Sequence, residues 1–145
     1  MPSVKLGFLN NIFLKARELY FNSPETLSAK TIDEALEIIN SNPYIDFVIY
    51  TDELSIHGKN VPRVFINLGR QNDEIEILFF FDLMDLCEPS IKQSIDFLKK
   101  WALEFKNEYR FAYFICQIDN GDREEFYFDS HGIGKLYERI SGGSD

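Results

Sequence analysis

The feature that most constrains the fold is a long helical pattern between two apolar segments. Residues 75–81 read Ile-Glu-Ile-Leu-Phe-Phe-Phe, so apolar side chains occupy both faces of the strand that they predict. Such continuous runs are typical of strands covered on both sides. Residues 109–118 have the same character, and between the two segments apolar residues recur at three- and four-residue spacing over about 89–107. The segments predict a strand, an amphipathic helix and a second strand, with the helix lying across a shared sheet.

Two of the predicted helices carry capping signals at their starts. Ser90 and Gln93 form a capping-box pattern at the beginning of the long helix. Thr31 and Glu34 form the same pattern ahead of a second helix over about 32–40. In each pair a hydroxyl satisfies one of the first amides of the helix, which would otherwise have no partner.

Short strands and turns account for the middle and the end of the chain. Apolar alternation predicts strands over 45–50, 54–57 and 64–68, the second closing a hairpin near Gly58. Asn120 with Gly121 predicts a type I′ turn that joins the 109–118 strand to the next strand. The remaining predicted elements are a strand at 4–8, a helix over 9–20, a strand over 124–128 and a last helix over 130–140 capped by Ser130.

The order of these elements predicts the α+β class: a single domain with an antiparallel or mixed sheet of about five strands covered by three to four helices. The chain has 145 residues, of which 45% are hydrophobic and 14 are Phe, enough for one packed core. We therefore expect a single α+β domain over residues 1–140 and a flexible tail over residues 141–145.

Net charge limits the class of partner. The chain carries 24 acidic and 15 basic residues, a net charge of −9. Nucleic acids and anionic membranes select basic surfaces, so we expect neither as a partner. The absence of a long apolar run, of a signal-peptide pattern and of a disulfide framework predicts a cytoplasmic protein. No pattern predicts a cofactor, a metal site or a catalytic constellation, whereas a basic protein partner suits the charge.

The acidic residues concentrate in two stretches. Residues 73–88 contain six acids and no base, and residues 119–129 contain five acids and only Arg123. If the two stretches adjoin, their field would steer a basic protein toward them. The predicted partner-binding residues are Asp82, Asp85, Glu88, Asp119, Asp122 and Glu124. The tyrosines that would anchor such an interface, if they are exposed near these acids, are Tyr44, Tyr50, Tyr109 and Tyr127.

The region around His131 supports a second interpretation, in which the chain is an enzyme or binds a small ligand. Asp129 would orient the imidazole, Ser130 would act as nucleophile, and a pocket would lie beside them. Cys116 with a histidine would form a thiol–imidazole pair. Residues adjacent in sequence rarely face one another in a triad, however, and Ser130 also suits a helix cap. A third interpretation is a structural homodimer joined through an aromatic sheet face.

The preferred interpretation is a binding protein without enzymatic activity. Small size, acidity and many aromatic residues favour an inhibitor or immunity-type protein that neutralises a basic partner such as a toxin or nuclease. The binding interpretation predicts association that weakens with salt, whereas the ligand interpretation predicts a deep pocket and the dimer a concentration-dependent mass.

Overall fold

A computed structural model describes residue 12 and residues 15–22, 27–117 and 125–142. It divides the chain into two compact units, Met1–Asp85 and Leu86–Asp145. Within the described residues, three α-helices accompany antiparallel sheets, so the predicted α+β class is confirmed. The domain boundary at residue 140 stays a prediction.

The first unit is built on a four-stranded antiparallel sheet. The described strands of the whole unit are β1 (Glu18–Asn22), β2 (Tyr44–Thr51), β3 (Leu54–Ile56), β4 (Lys59–Val61), β5 (Val64–Gln71) and β6 (Glu74–Phe80). The large sheet has the order β1-β2-β5-β6, and β3 pairs with β4 in a separate two-stranded sheet. His57 and Gly58 have positive φ angles at the turn between β3 and β4, so the hairpin predicted there is confirmed.

One face of the large sheet forms the core of this unit. The register places Phe21 opposite Phe47, Phe47 opposite Leu68 and Leu68 opposite Ile77, so apolar side chains stack from strand to strand. Helix α1 (Ile32–Ser41) packs against β2 and buries Ala35. Alternation along each strand therefore separates a buried face from an outer face.

The buried Arg70 joins helix α1 to the sheet. Its Nη1 donates to the carbonyl oxygens of Ile39 at 3.0 Å and Asn40 at 2.6 Å, and its Nε donates to Asn72 O at 2.7 Å. The last carbonyls of a helix have no partner within the helix and carry partial negative charge. The side chain thus caps α1 and also holds the turn between β5 and β6.

Replacing Arg70 with Met should destabilise the protein by about 3 kcal/mol, because the buried carbonyls would lose charged donors. Urea unfolding followed by circular dichroism measures the change. The matched control is Arg139→Met at an exposed position of the last helix, expected within about 0.5 kcal/mol of the wild type. Equal effects from the two substitutions would contradict the capping role of Arg70.

The second unit combines two helices with a small sheet. Its elements are α2 (Ile91–Tyr109), β7 (Ile115–Gln117), β8 (Phe126–Asp129), β9 (Gly132–Ile133) and α3 (Lys135–Gly142). The sheet is antiparallel with the order β7-β8-β9, and α3 packs against both α2 and β8. The buried core residues of this unit include Ile95, Leu98, Phe128 and Leu136.

The predicted caps of the two helices are confirmed. Thr31 Oγ1 accepts a hydrogen bond from Glu34 N at 3.2 Å, and Ser90 Oγ accepts one from Gln93 N at 3.1 Å. Both hydroxyl residues have extended backbone angles, as an N-cap requires. These bonds span three residues, so they depend on local sequence alone.

The predicted strand–helix–strand unit is wrong, because β6 and β7 belong to different sheets. Helix α2 continues to Tyr109, and among the described residues 109–117 of the predicted 109–118 strand only Ile115–Gln117 is a strand. Arg110 ends the helix with a left-handed conformation, φ 60°, and its amide donates to Lys106 O. The apolar residues after it therefore begin with irregular backbone instead of a strand.

Two other boundaries differ from the predictions. The predicted helix over 9–20 is wrong at its end, because Glu18–Asn22 is β1 and pairs with β2. The last helix begins at Lys135, so Ser130 does not cap it, and β9 occupies its predicted first turn. The predicted strand at 4–8 and the Asn120–Gly121 turn lie outside the described residues, as does the tail from residue 143.

Candidate partner-binding surface

Asp82 is exposed two residues after the end of β6 and directly precedes a short 3-10 helix, Leu83–Leu86. Its Oδ1 accepts a hydrogen bond from Met84 N at 2.9 Å, and its carbonyl accepts one from Asp85 N at 3.0 Å. The carboxylate is thereby held at the start of the turn while it stays open to solvent. This predicted binding residue is placed where a partner can reach it.

Asp85 has a different environment from Asp82. Its Oδ1 lies 2.5 Å from Nη2 of Arg63, and the side chain of Asp85 is only 13% exposed. The backbone amide of Arg63 in turn donates to Asp52 Oδ1 at 3.1 Å. The ion pair offsets the charge of Asp85, so Asp82 contributes more than Asp85 to the field outside the protein.

The other predicted acids are placed separately. Glu88 is half-buried in the second unit, whereas Asp119, Asp122 and Glu124 lie outside the described residues. Within the first unit the structure brings together Asp82 and Asp85, at the two ends of one short turn. Convergence of the two acidic stretches stays a prediction.

The carboxylate of Asp129 is engaged by a turn instead of the imidazole of His131. Its Oδ1 accepts hydrogen bonds from the backbone amides of His131 at 2.8 Å and Gly132 at 3.1 Å. Its Oδ2 accepts a bond from Tyr113 Oη at 3.3 Å. Burial, together with the Asp129 charge, raises the pKa of Tyr113. Ser130 Oγ is buried and has no hydrogen-bond partner in the described part of the chain, so these residues do not form the suggested triad.

Replacing Asp129 with Ala should lower the free energy of unfolding by about 1–2 kcal/mol, because two turn amides lose their acceptor. Asp129→Asn keeps an amide oxygen at that position and should restore most of the loss. His131→Ala should change stability by less than about 0.5 kcal/mol, since only the backbone of His131 bonds to Asp129. Urea unfolding measures all three, and a large loss on removing the imidazole would contradict the turn role.

Cys116 lies on β7, where burial raises the pKa of its thiol to about 12. A thiolate activated by a histidine would show the opposite shift, toward a lower pKa. Neither Cys116 nor Cys87 takes part in a disulfide. The thiol is therefore held in its neutral, weakly nucleophilic form, and this environment does not support the thiol–imidazole interpretation.

At pH 8 iodoacetamide should alkylate Cys116 about a thousandfold more slowly in the folded protein than in urea, because the unfolded thiol has a pKa of about 8.5. The raised pKa lowers the thiolate fraction, so the difference should narrow as pH approaches 12. Mass spectrometry follows each site, and the exposed Cys87 serves as an internal reference. Equal rates for Cys116 in the folded and unfolded chain would contradict its buried, neutral state.

The outer face of the large sheet, which is turned away from the core, carries an exposed aromatic patch. The sequence predicted an aromatic sheet face only in the homodimer interpretation and otherwise named single tyrosines. Tyr20, Phe65 and Phe80 are 49%, 46% and 39% exposed, respectively. The predicted anchor Tyr50 packs its ring 4.6 Å from that of Phe65, centroid to centroid. The alternation of polar and apolar residues along 44–51 was the signal for this face. Only the strand order shows which side chains it assembles.

The remaining predicted anchors are divided between the two units. Tyr44 is 67% exposed at the start of β2 in the first unit. Tyr109 and Tyr127 are half-buried in the second unit, where Tyr109 packs on Phe105 at 4.7 Å between ring centroids. Tyr44 and Tyr50 are therefore the two anchors that share a unit with Asp82.

The described residues lack a metal-binding cluster and a membrane-spanning helix. No group of three or more His, Cys, Asp or Glu side chains in this part of the chain is arranged to hold a metal ion. Among the same residues, no helix has the length and apolar character that crossing a membrane requires.

Comparison with protein families decides the class of the protein. The family model described as PABL017 Cdi1I immunity protein matches residues 7–131. The chain belongs to this family. It is thus an immunity-type protein, as the preferred interpretation predicted, and the partner of such a protein is a toxin. No curated protein and no solved structure matches the chain.

Proposed function

We propose that the chain is a non-enzymatic inhibitor that binds a basic toxin in the cytoplasm and covers its active surface. Membership of the immunity protein family, which rests on a match over residues 7–131, is the observation that carries this proposal. An immunity protein that acts by binding needs a complementary surface and no chemistry of its own. The hydrogen bond that Asp129 accepts from a turn amide and the neutral thiol of Cys116 agree with such a role.

The net charge of −9 supports a basic toxin as the partner. Opposite charge raises the rate at which two proteins meet, and rapid capture matters for a toxin that acts catalytically. The proposed contact residues are the predicted acids Asp82, Asp85, Glu88, Asp119, Asp122 and Glu124. Among them Asp82 has the strongest support, because its carboxylate is exposed and held by Met84 N.

The toxin for the test is a domain, encoded by a reading frame next to that of this chain, that kills cells when it is expressed alone. A cell that inherited the toxin alone would be poisoned, so the two genes need to be inherited together. The domain is expressed with and without the present chain, and cell survival is counted. Survival only in the presence of the chain is the expected result. Equal killing in both cells would overturn the proposal.

Asp82→Lys should reduce the association rate with a catalytically inactivated form of this toxin by about tenfold at low salt, and the difference should shrink above about 0.5 M salt. Stopped-flow mixing measures the rate. Glu108→Lys, at an exposed position of α2, makes the same change in net charge and is the control. If both variants slow association equally, the charge acts through the whole protein and Asp82 is not a contact.

A further inference from the structure

We propose that the outer face of the four-stranded sheet is the surface that docks the toxin, by seating an apolar toxin side chain flanked by Lys or Arg. This inference rests on the proposed function and assigns its contact surface. The outer face is defined as the outward positions of the four strands: Glu18, Tyr20 and Asn22 of β1, Tyr44, Asp46, Val48 and Tyr50 of β2, Phe65, Asn67, Gly69 and Gln71 of β5, and Glu74, Glu76, Leu78 and Phe80 of β6.

The register gathers the apolar members of the outer face into adjoining rows. One row places Tyr50 opposite Phe65 and Phe65 opposite Phe80. The next row places Tyr20 opposite Val48 and ends at Leu78 on the far strand. Single exposed apolar residues are ordinary, but a contiguous aromatic patch on a protein surface marks an interaction site. Aromatic residues at the centre of an interface also contribute most of the binding energy.

The charges of the outer face match a basic partner. Its charged members among the described strand positions are acidic, with Glu18 at one end and Asp46, Glu74 and Glu76 toward the other. Arg17 lies just before β1, and its guanidinium carbon is 5.4 Å from the centroid of the Tyr50 ring. Its Nη1 forms an ion pair with Oδ2 of Asp52 at 3.1 Å. The outer face thus carries its aromatic row at one end and most of its acids toward the other, so an apolar toxin side chain and the Lys or Arg beside it would each meet a complementary group.

Gly69 sets the position of one of these acids, Asp46. A Cβ atom at residue 69 would collide with Oδ1 of Asp46, so the carboxylate lies directly over the backbone of β5. In the strand register Gly69 lies between Asp46 of β2 and Glu76 of β6. The glycine therefore leaves space for the Asp46 carboxylate over β5, and the register places Glu76 on β6 at the other side of the same glycine.

The outer face is also rigid and of useful size. Its strands are tied together by antiparallel hydrogen bonds, and their other face is packed, so binding would order little that is mobile. Four strands at ~4.8 Å spacing and about seven residues at ~3.3 Å cover roughly 400 Å². A stable interface buries about 800 Å² per partner, so the contact extends beyond the sheet. Asp82, two residues after Phe80, lies where that extension would begin.

The test measures the dissociation constant for the inactivated toxin domain from the adjoining reading frame, by calorimetry at about 0.15 M salt. Phe65→Ser should weaken binding by about tenfold to a hundredfold, because it removes the aromatic centre of the patch. Its matched control is Leu103→Ser on α2, where the side chain is 52% exposed against 46% for Phe65, and we expect a change of less than about twofold. Circular dichroism checks that each variant is folded.

A charge variant keeps the test decisive if Phe65→Ser does not fold. Glu76→Lys should weaken toxin binding by about tenfold at low salt, whereas the control Glu108→Lys should have much less effect. Toxin binding that both face variants leave unchanged would overturn the docking surface and leave the proposed function intact. Wild-type chain that fails to bind the toxin or to protect cells would overturn the proposed function itself.

Sedimentation separates toxin docking from self-association. We expect a monomer whose mass does not depend on protein concentration and that forms a larger complex only with the toxin domain. A concentration-dependent dimer that Phe65→Ser dissociates, with toxin binding unchanged, would identify the outer face as a contact between two copies and overturn the inference.

Discussion

The first unit depends on the buried guanidinium of Arg70. A charged side chain is costly to bury unless its donors find partners, and here they find the carbonyls of Ile39, Asn40 and Asn72. Through these bonds one side chain of β5 holds both the end of α1 and the turn before β6. The helix is thereby fixed over one face of the sheet, and α1 does not cover the opposite face.

This division of the sheet gives its two faces different physical roles. The inner face, with Phe47 and Ile66 fully buried, supplies the hydrophobic stabilisation of the unit. The outer face adds little to that core, so its aromatic residues need another explanation, and binding a protein provides one. The proposed docking of a toxin there would combine electrostatic steering by the acids of the outer face with contact to a preorganised aromatic row.

Local patterns predicted part of this structure well and predicted the candidate site less well. The caps at Thr31 and Ser90 were readable because each bond joins residues three apart. The exposed position of Asp82, at the end of an apolar strand, was also visible. In contrast, Asp85 pairs with Arg63, 22 residues away, and no pattern signals that contact. The sequence left the role of Asp129 open, because its carboxylate could accept hydrogen bonds either from backbone amides or from the imidazole of His131.

The sequence by itself determined the α+β class, the capped helices, the two-faced strands and the acidity on which the proposal of a basic partner rests. Each of these follows from composition or from interactions between near neighbours along the chain. Tertiary structure decided that Glu18–Asn22 is a strand, that β6 and β7 lie in different sheets, and that Tyr20, Phe65 and Phe80 form one patch. Pairing between distant strands decides these points, because the energy of a strand comes from the neighbours it meets.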